Sequence, residues 1–191
     1  MTVSKDHSIA FAWIGMIAVV AFLIAWIGAS TADPSWKFAV NNLSDFGVSK
    51  TNASLFFNYG CMITGALLAA FGFGRARYQK GMGNLVGGIF FILGGLGLIG
   101  VGLYPSDTGD LHTCSAVTAG LFIFLGIVAV TVVNWAADKK LFAGIGIVAA
   151  FLLVAMFIAY NIAKLEAYGI IVVMIWVLAE CANMILSSKK S

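Results

Sequence analysis

Six runs of about 20 apolar residues, parted by mostly short polar connections, restrict this chain to one kind of fold. Each is long enough to cross the hydrocarbon of a bilayer as a helix. In lipid a backbone must satisfy its own hydrogen bonds, so only helices and closed barrels span. The runs cover residues 9–29, 55–74, 83–104, 111–135, 141–161 and 168–186. They predict an all-α, polytopic membrane protein, with residues 1–191 forming a single six-helix transmembrane bundle. Charge agrees: 10% of the 191 residues are Asp, Glu, Lys or Arg, and mean hydropathy is +1.01. An ordinary soluble domain carries about a quarter charged residues. No length remains for a soluble catalytic domain, and nucleic acid is not an expected partner; the lipid bilayer is. Chemistry has to come from helix ends, loops or the bundle interior.

The few cations are sorted along the chain. Lys5, Arg75, Arg77, Lys80, Lys139, Lys140, Lys189 and Lys190 fall at one set of connections, while Lys37, Lys50 and Lys164 fall at the other. Short loops rich in Lys and Arg stay cytoplasmic. The bias therefore predicts a multi-pass protein of the cell membrane with both termini cytoplasmic. The first run is longer than the apolar region of a signal peptide and reads as a retained helix. The long 30–54 connection, the Pro105–Asp110 turn and the Lys164–Glu166 turn are then outside. Asp33, Asp45, Asp107, Asp110 and Glu166 go with them.

Glycine is plentiful, and Gly88, Gly95 and Gly102 recur every seven residues on the third run. Small residues on one helix face let membrane helices pack closely; the same bare face could instead form a groove for a lipid chain. Trp26, Trp36 and Trp135 fall near expected interfaces, where amphipathic rings anchor.

Two loop segments carry most of the reactive groups: Asn41-Asn42-Leu43-Ser44-Asp45-Phe46-Gly47 and Tyr104-Pro105-Ser106-Asp107-Thr108-Gly109-Asp110-Leu111-His112. Ser, His and Asp are the parts of nucleophilic and acid–base catalysis. Ser44, Asp45, Asp107 and His112 are thus the candidate catalytic residues, with His112 as base. Asn42, Asn58 and Asp110 are candidate ligand-binding residues. The plainer reading makes both segments turns, with Asp110 capping the fourth helix. Within the spans, Glu180 and Asn183 stand three apart on the sixth run, and an ionisable residue inside a membrane is a functional candidate by default. Pairing with a nearby lysine is its plainer reading. The cysteines (Cys61, Cys114, Cys181) and the two histidines (His7, His112) make no metal motif, so no metal site is expected and no cofactor is identified.

Asn-Leu-Ser-Asp-Phe-Gly at 42–47, Phe57-Asn58 opening the second run, and Tyr104-Pro105-Ser106-Asp107 with His112 together resemble the archaeal and bacterial proteins of the "domain of unknown function 998" family. The resemblance covers nearly the whole chain and implies a multispan protein without assigned chemistry. The chain is similar, more distantly, to FRAG/DRAM-type six-helix proteins, which include lipid-remodelling members. It also resembles membrane hydrolases of the ceramidase type, whose three zinc-binding histidines it lacks. Three readings follow: an enzyme or binder for a lipid or lipid-linked head group at the outer loops, a membrane subunit or scaffold held by a protein partner, and a small transporter using Glu180 and Asn183.

Overall fold

The structure is a computed structural model that describes residues 5–78 and 81–190, and side chains within 8–78 and 81–188. Lys80 and the side chains of Lys5, His7, Lys189 and Lys190 lie outside the described residues.

Six helices form: α1 (Lys5–Ala32), α2 (Ala53–Arg77), α3 (Met82–Leu103), α4 (Asp110–Ala136), α5 (Lys140–Ala159) and α6 (Ile162–Lys190). All six are long and apolar enough to cross a membrane. The protein is a six-helix, multi-pass bundle whose neighbours in sequence pack side by side, and α6 returns to close on α1. The "termini end" carries both chain ends and the α2–α3 and α4–α5 turns. The "loop end" carries the other three connections.

Helix ends follow local chemistry. Pro34 and Pro105 stand just past α1 and α3, where a missing N–H and a fixed φ stop a helix. Ser30 and Thr31 turn their hydroxyls back onto the carbonyls of Trp26 and Gly28, both at 2.9 Å. Gly109, at φ 64°, reverses the chain ahead of α4. It occupies the cap position, so Asp110 is the first helical residue rather than the cap. α6 begins at Ile162, well ahead of the run expected from 168, because the Asn161 side chain accepts the Lys164 N–H at 3.1 Å and starts the helix there. Glu166 therefore projects from a helix and not from a turn.

Two apolar cores fill the bundle. One centres on Phe71, Phe91 and Trp176, with the Phe91 and Trp176 rings stacked 5.4 Å apart. The other, at the loop end, receives Leu43 and Phe46 from a 3-10 helix (Leu43–Val48) folded into the top of the bundle. Trp36 lies against this plug, 4.5 Å from the Phe46 ring, and its indole N–H donates to Asn42 O at 2.8 Å.

The heptad of glycines on α3 is filled by helices. Gly88 and Gly95 lie directly against the α2 backbone at Gly72 and Gly65, while Gly87 and Gly94 face Val130 and Ile123 of α4. No lipid groove runs along that face. α2 and α3 are thereby the most buried helices, and α5 is the least buried.

Candidate functional site

At the loop end the polar groups are occupied by one another and by backbone. Glu166 reaches from α6 to the start of the 3-10 helix: its Oε2 accepts the Leu43 N–H at 2.6 Å and the Ser44 N–H at 3.4 Å, and its Oε1 accepts the Ser44 hydroxyl at 3.4 Å. A carboxylate at free N–H groups satisfies donors that the helix start leaves unpaired. Asp45 Oδ2 accepts the Asn42 N–H at 2.9 Å, closing the same turn. Asn58, on α2, donates to Gly47 O at 3.0 Å and fastens the other end of the 3-10 helix. In the long connection, the hydroxyls of Ser35 and Ser49 bond to Asp33 at 2.5 and 2.6 Å and hold its carboxyl below the usual carboxylate range.

His112 lies in the first turn of α4, and its Nδ1 is 2.7 Å from Tyr104 O. Asp107 and Asp110 are exposed, in the Ser106–Thr108 turn and the α4 start respectively. Ser44 and Asp45 thus share one 3-10 helix with Asn42 at its cap, Asn58 braces it, and His112, Asp107 and Asp110 belong to the neighbouring connection. The Ser44 hydroxyl and the His112 imidazole each have a partner other than the other. The arrangement pins the plug to α2 and α6. Glu166→Gln should weaken the charge-assisted bonds and speed amide exchange at Leu43 and Ser44 about tenfold, measured by hydrogen–deuterium exchange, with the rest of the bundle unchanged.

A different polar group lies inside the bundle toward the termini end. Arg75 of α2 and Glu180 of α6 are 0% and 2% exposed, with Nε to Oε1 at 3.3 Å. Asn134 of α4 donates to Glu180 Oε2 at 2.8 Å. Asn183 donates to Asn134 Oδ1 at 3.0 Å and lies 3.2 and 3.1 Å from the two Glu180 oxygens. Ser187 donates to Asn183 Oδ1 at 3.2 Å. Three helices are joined by one ionic and amide cluster in the bundle interior. Arg75 also lies 5.1 Å from the centre of the Tyr78 ring, and Lys139 of the α4–α5 turn lies 5.2 Å from it. Burial pushes the Lys139 ammonium below the ordinary lysine range; the nearby Glu180 opposes that shift and Arg75 adds to it. Burying one charge costs several kcal/mol even after relaxation, so a cluster like this persists only when its members are paired.

Glu180 and Asn183 are therefore joined as neighbours on one helix face, and among the described residues the ion-pair partner of Glu180 is Arg75; the side chain of Lys189 lies outside them. Sequence reading missed Arg75, counted only as a loop cation, and left Asn134 and Glu166 outside the site. A signal was present. Arg75 and Arg77 are two residues apart, so they point to nearly opposite sides of a helix, and both cannot face the same surroundings. Among the described residues, no group of three or more His, Cys, Asp or Glu is placed to hold a metal ion.

The family model described as "Protein of unknown function (DUF998)" matches residues 16–183. No curated protein and no solved structure matches the chain.

Proposed function

The chain belongs to the DUF998 family, a membership that brings no activity with it, and we propose that it is a small transporter of the cell membrane whose solute site is the cluster of Arg75, Asn134, Glu180 and Asn183. One observation carries this reading: a fully buried Arg–Glu pair with two amides, drawn from α2, α4 and α6, inside a membrane bundle. Ionisable groups at membrane depth are expensive and mark substrate or ion pathways. Replacing such a pair by apolar side chains is often neutral or stabilising, so stability alone is a weak reason to keep it. Arg75, Asn134, Glu180 and Asn183 are all buried, as the site of an occluded transporter would be. The thin packing of α5 gives one side of the bundle room to move.

The Lys and Arg bias supports cytoplasmic termini, and it persists when the buried Arg75 is left out of the comparison. The cluster then lies toward the cytoplasmic face. A solute that engages the Arg75 guanidinium offsets its attraction to Glu180, which loosens α6 from α2 and couples occupancy to opening.

Two other readings remain as alternatives. The loop-end residues Ser44, Asp45, Asp107 and His112, with Asn42, Asn58 and Asp110, would serve a lipid or lipid-linked head group. A membrane subunit is favoured by the largely unburied α5, which a protein partner would cover. The deciding experiment needs no known solute. Asn134→Cys, in a background without the three native cysteines, is reconstituted in vesicles and exposed to an impermeant thiol reagent from each face. A transporter exposes residue 134 to each face in turn. A site sealed from both faces for hours is the result that a subunit or scaffold gives, and it would overturn this reading.

A further inference from the structure

The guanidinium of Arg75 is incompletely used. It is fully buried, yet among the described residues Nη1 and Nη2 have no hydrogen-bond partner, and the Nε approach to Glu180 lacks hydrogen-bond geometry. Glu180, which also holds the amides of Asn134 and Asn183, makes no hydrogen bond to the guanidinium in this arrangement. Leaving N–H donors of a charged group unpaired in an apolar interior costs more than any neutral omission. The free edge of a guanidinium is a planar fork that matches two oxygens of a carboxylate or phosphate.

The charges around it lean the same way. Arg75 and Lys139 are both within about 5 Å of the Tyr78 ring, and Glu180 is their carboxylate counterpart among the described residues. A fully buried and a half-buried cation against one anion leave an excess of positive charge beside the buried guanidinium. A bound monoanion would balance it. The same anion would relieve Lys139, whose ammonium is partly desolvated.

We propose that the Nη edge of Arg75, with Lys139 as second cation and Tyr78 beside both, binds a small oxyanion of the carboxylate or phosphate class. This names the solute class for the site proposed above. It rests on that reading only for transport, since binding is measurable without it. Two sources share this chemistry: a free anion, and the phosphodiester of an anionic lipid reaching the end of α2.

Thermal unfolding of the purified protein separates them. In detergent, inorganic phosphate and acetate are titrated against equal ionic strength of sodium chloride. In nanodiscs, phosphatidylglycerol is compared with phosphatidylcholine. A free anion raises Tm saturably in detergent, because a ligand that binds only the folded state stabilises it. A lipid head group raises Tm only in the phosphatidylglycerol discs. Either response should weaken about tenfold in apparent affinity in Lys139→Gln, for one lost charged hydrogen bond, and hold in Lys50→Gln at the loop end. Arg75→Lys, which keeps the charge and removes the fork, should abolish it. If Arg75→Lys does not fold, Lys139→Gln carries the test. No Tm response beyond chloride and between the two lipids, or a response unchanged in Lys139→Gln, would overturn the proposal. The labelling outcome at Asn134→Cys is independent of either result.

Discussion

Glu180→Ala is expected to destabilise the protein by about 3–5 kcal/mol, because it strands the Arg75 charge in the interior. Arg75→Ala should do the same from the other side, leaving a carboxylate held only by the amides of Asn134 and Asn183. The double variant Arg75→Met with Glu180→Leu should recover most of the loss, since apolar groups of similar volume replace the pair without a desolvation cost. The two amides can still bond to each other, as Asn183 already donates to Asn134 Oδ1. Unfolding in nanodiscs, followed by near-ultraviolet circular dichroism, measures all three. A double variant that folds well yet loses access to residue 134 would separate the pair's role in stability from its role in opening. Equal losses in the single and double variants would mean that the pair fixes the bundle by shape, not by charge.

Gly95→Ala is expected to cost about 1–3 kcal/mol by overpacking, and Gly95→Leu to prevent the α2–α3 contact from forming. A Cβ at Gly95 would lie 2.5 Å from the Gly65 carbonyl oxygen and 2.8 Å from the Ala69 nitrogen, and backbone on the facing helix cannot swing aside. The same holds at Gly88 against Gly72 O, at 2.5 Å. Membrane helices lack a hydrophobic drive toward each other and associate through such close packing, so this contact is where a single methyl has most effect. Gly120→Ala and Gly144→Ala are the controls: nothing lies within 4 Å of either added Cβ, and alanine's better helix propensity predicts unchanged or slightly raised stability. Thermal unfolding of the four variants side by side checks the pattern. A loss at Gly120 as large as that at Gly95 would contradict it.

The six-helix architecture was legible because apolar runs of spanning length have one stable solution in lipid. The Gly88–Gly95–Gly102 stripe was legible as a packing face, but not its partner, because a helix face does not name the helix it meets. The loop end was less so. Ser44, Asp45 and His112 look reactive by type, and their geometry depends on Glu166, which is more than a hundred residues away in sequence and enters α6 through a start at Ile162 that a hydropathy run cannot place. Asn161 sets that start through one side-chain bond. At the termini end, Glu180 and Asn183 were visible as polar residues in an apolar run. Arg75 was hidden by its position near a helix end, where a cation ordinarily faces head groups. Only the pairing of α2 with α6 across the interior reveals that it turns inward.

We place the working centre at the buried cluster and not in the polar layer at the loop end. Two-sided labelling of Asn134→Cys, compared with Ser44→Cys in the plug in the same vesicles, decides between the two. Asn134→Cys should react with an impermeant thiol reagent from each face within minutes, while Ser44→Cys reacts, if at all, from the loop-end face alone. Residue 134 sealed from both faces, with Ser44→Cys opening and closing instead, would contradict it.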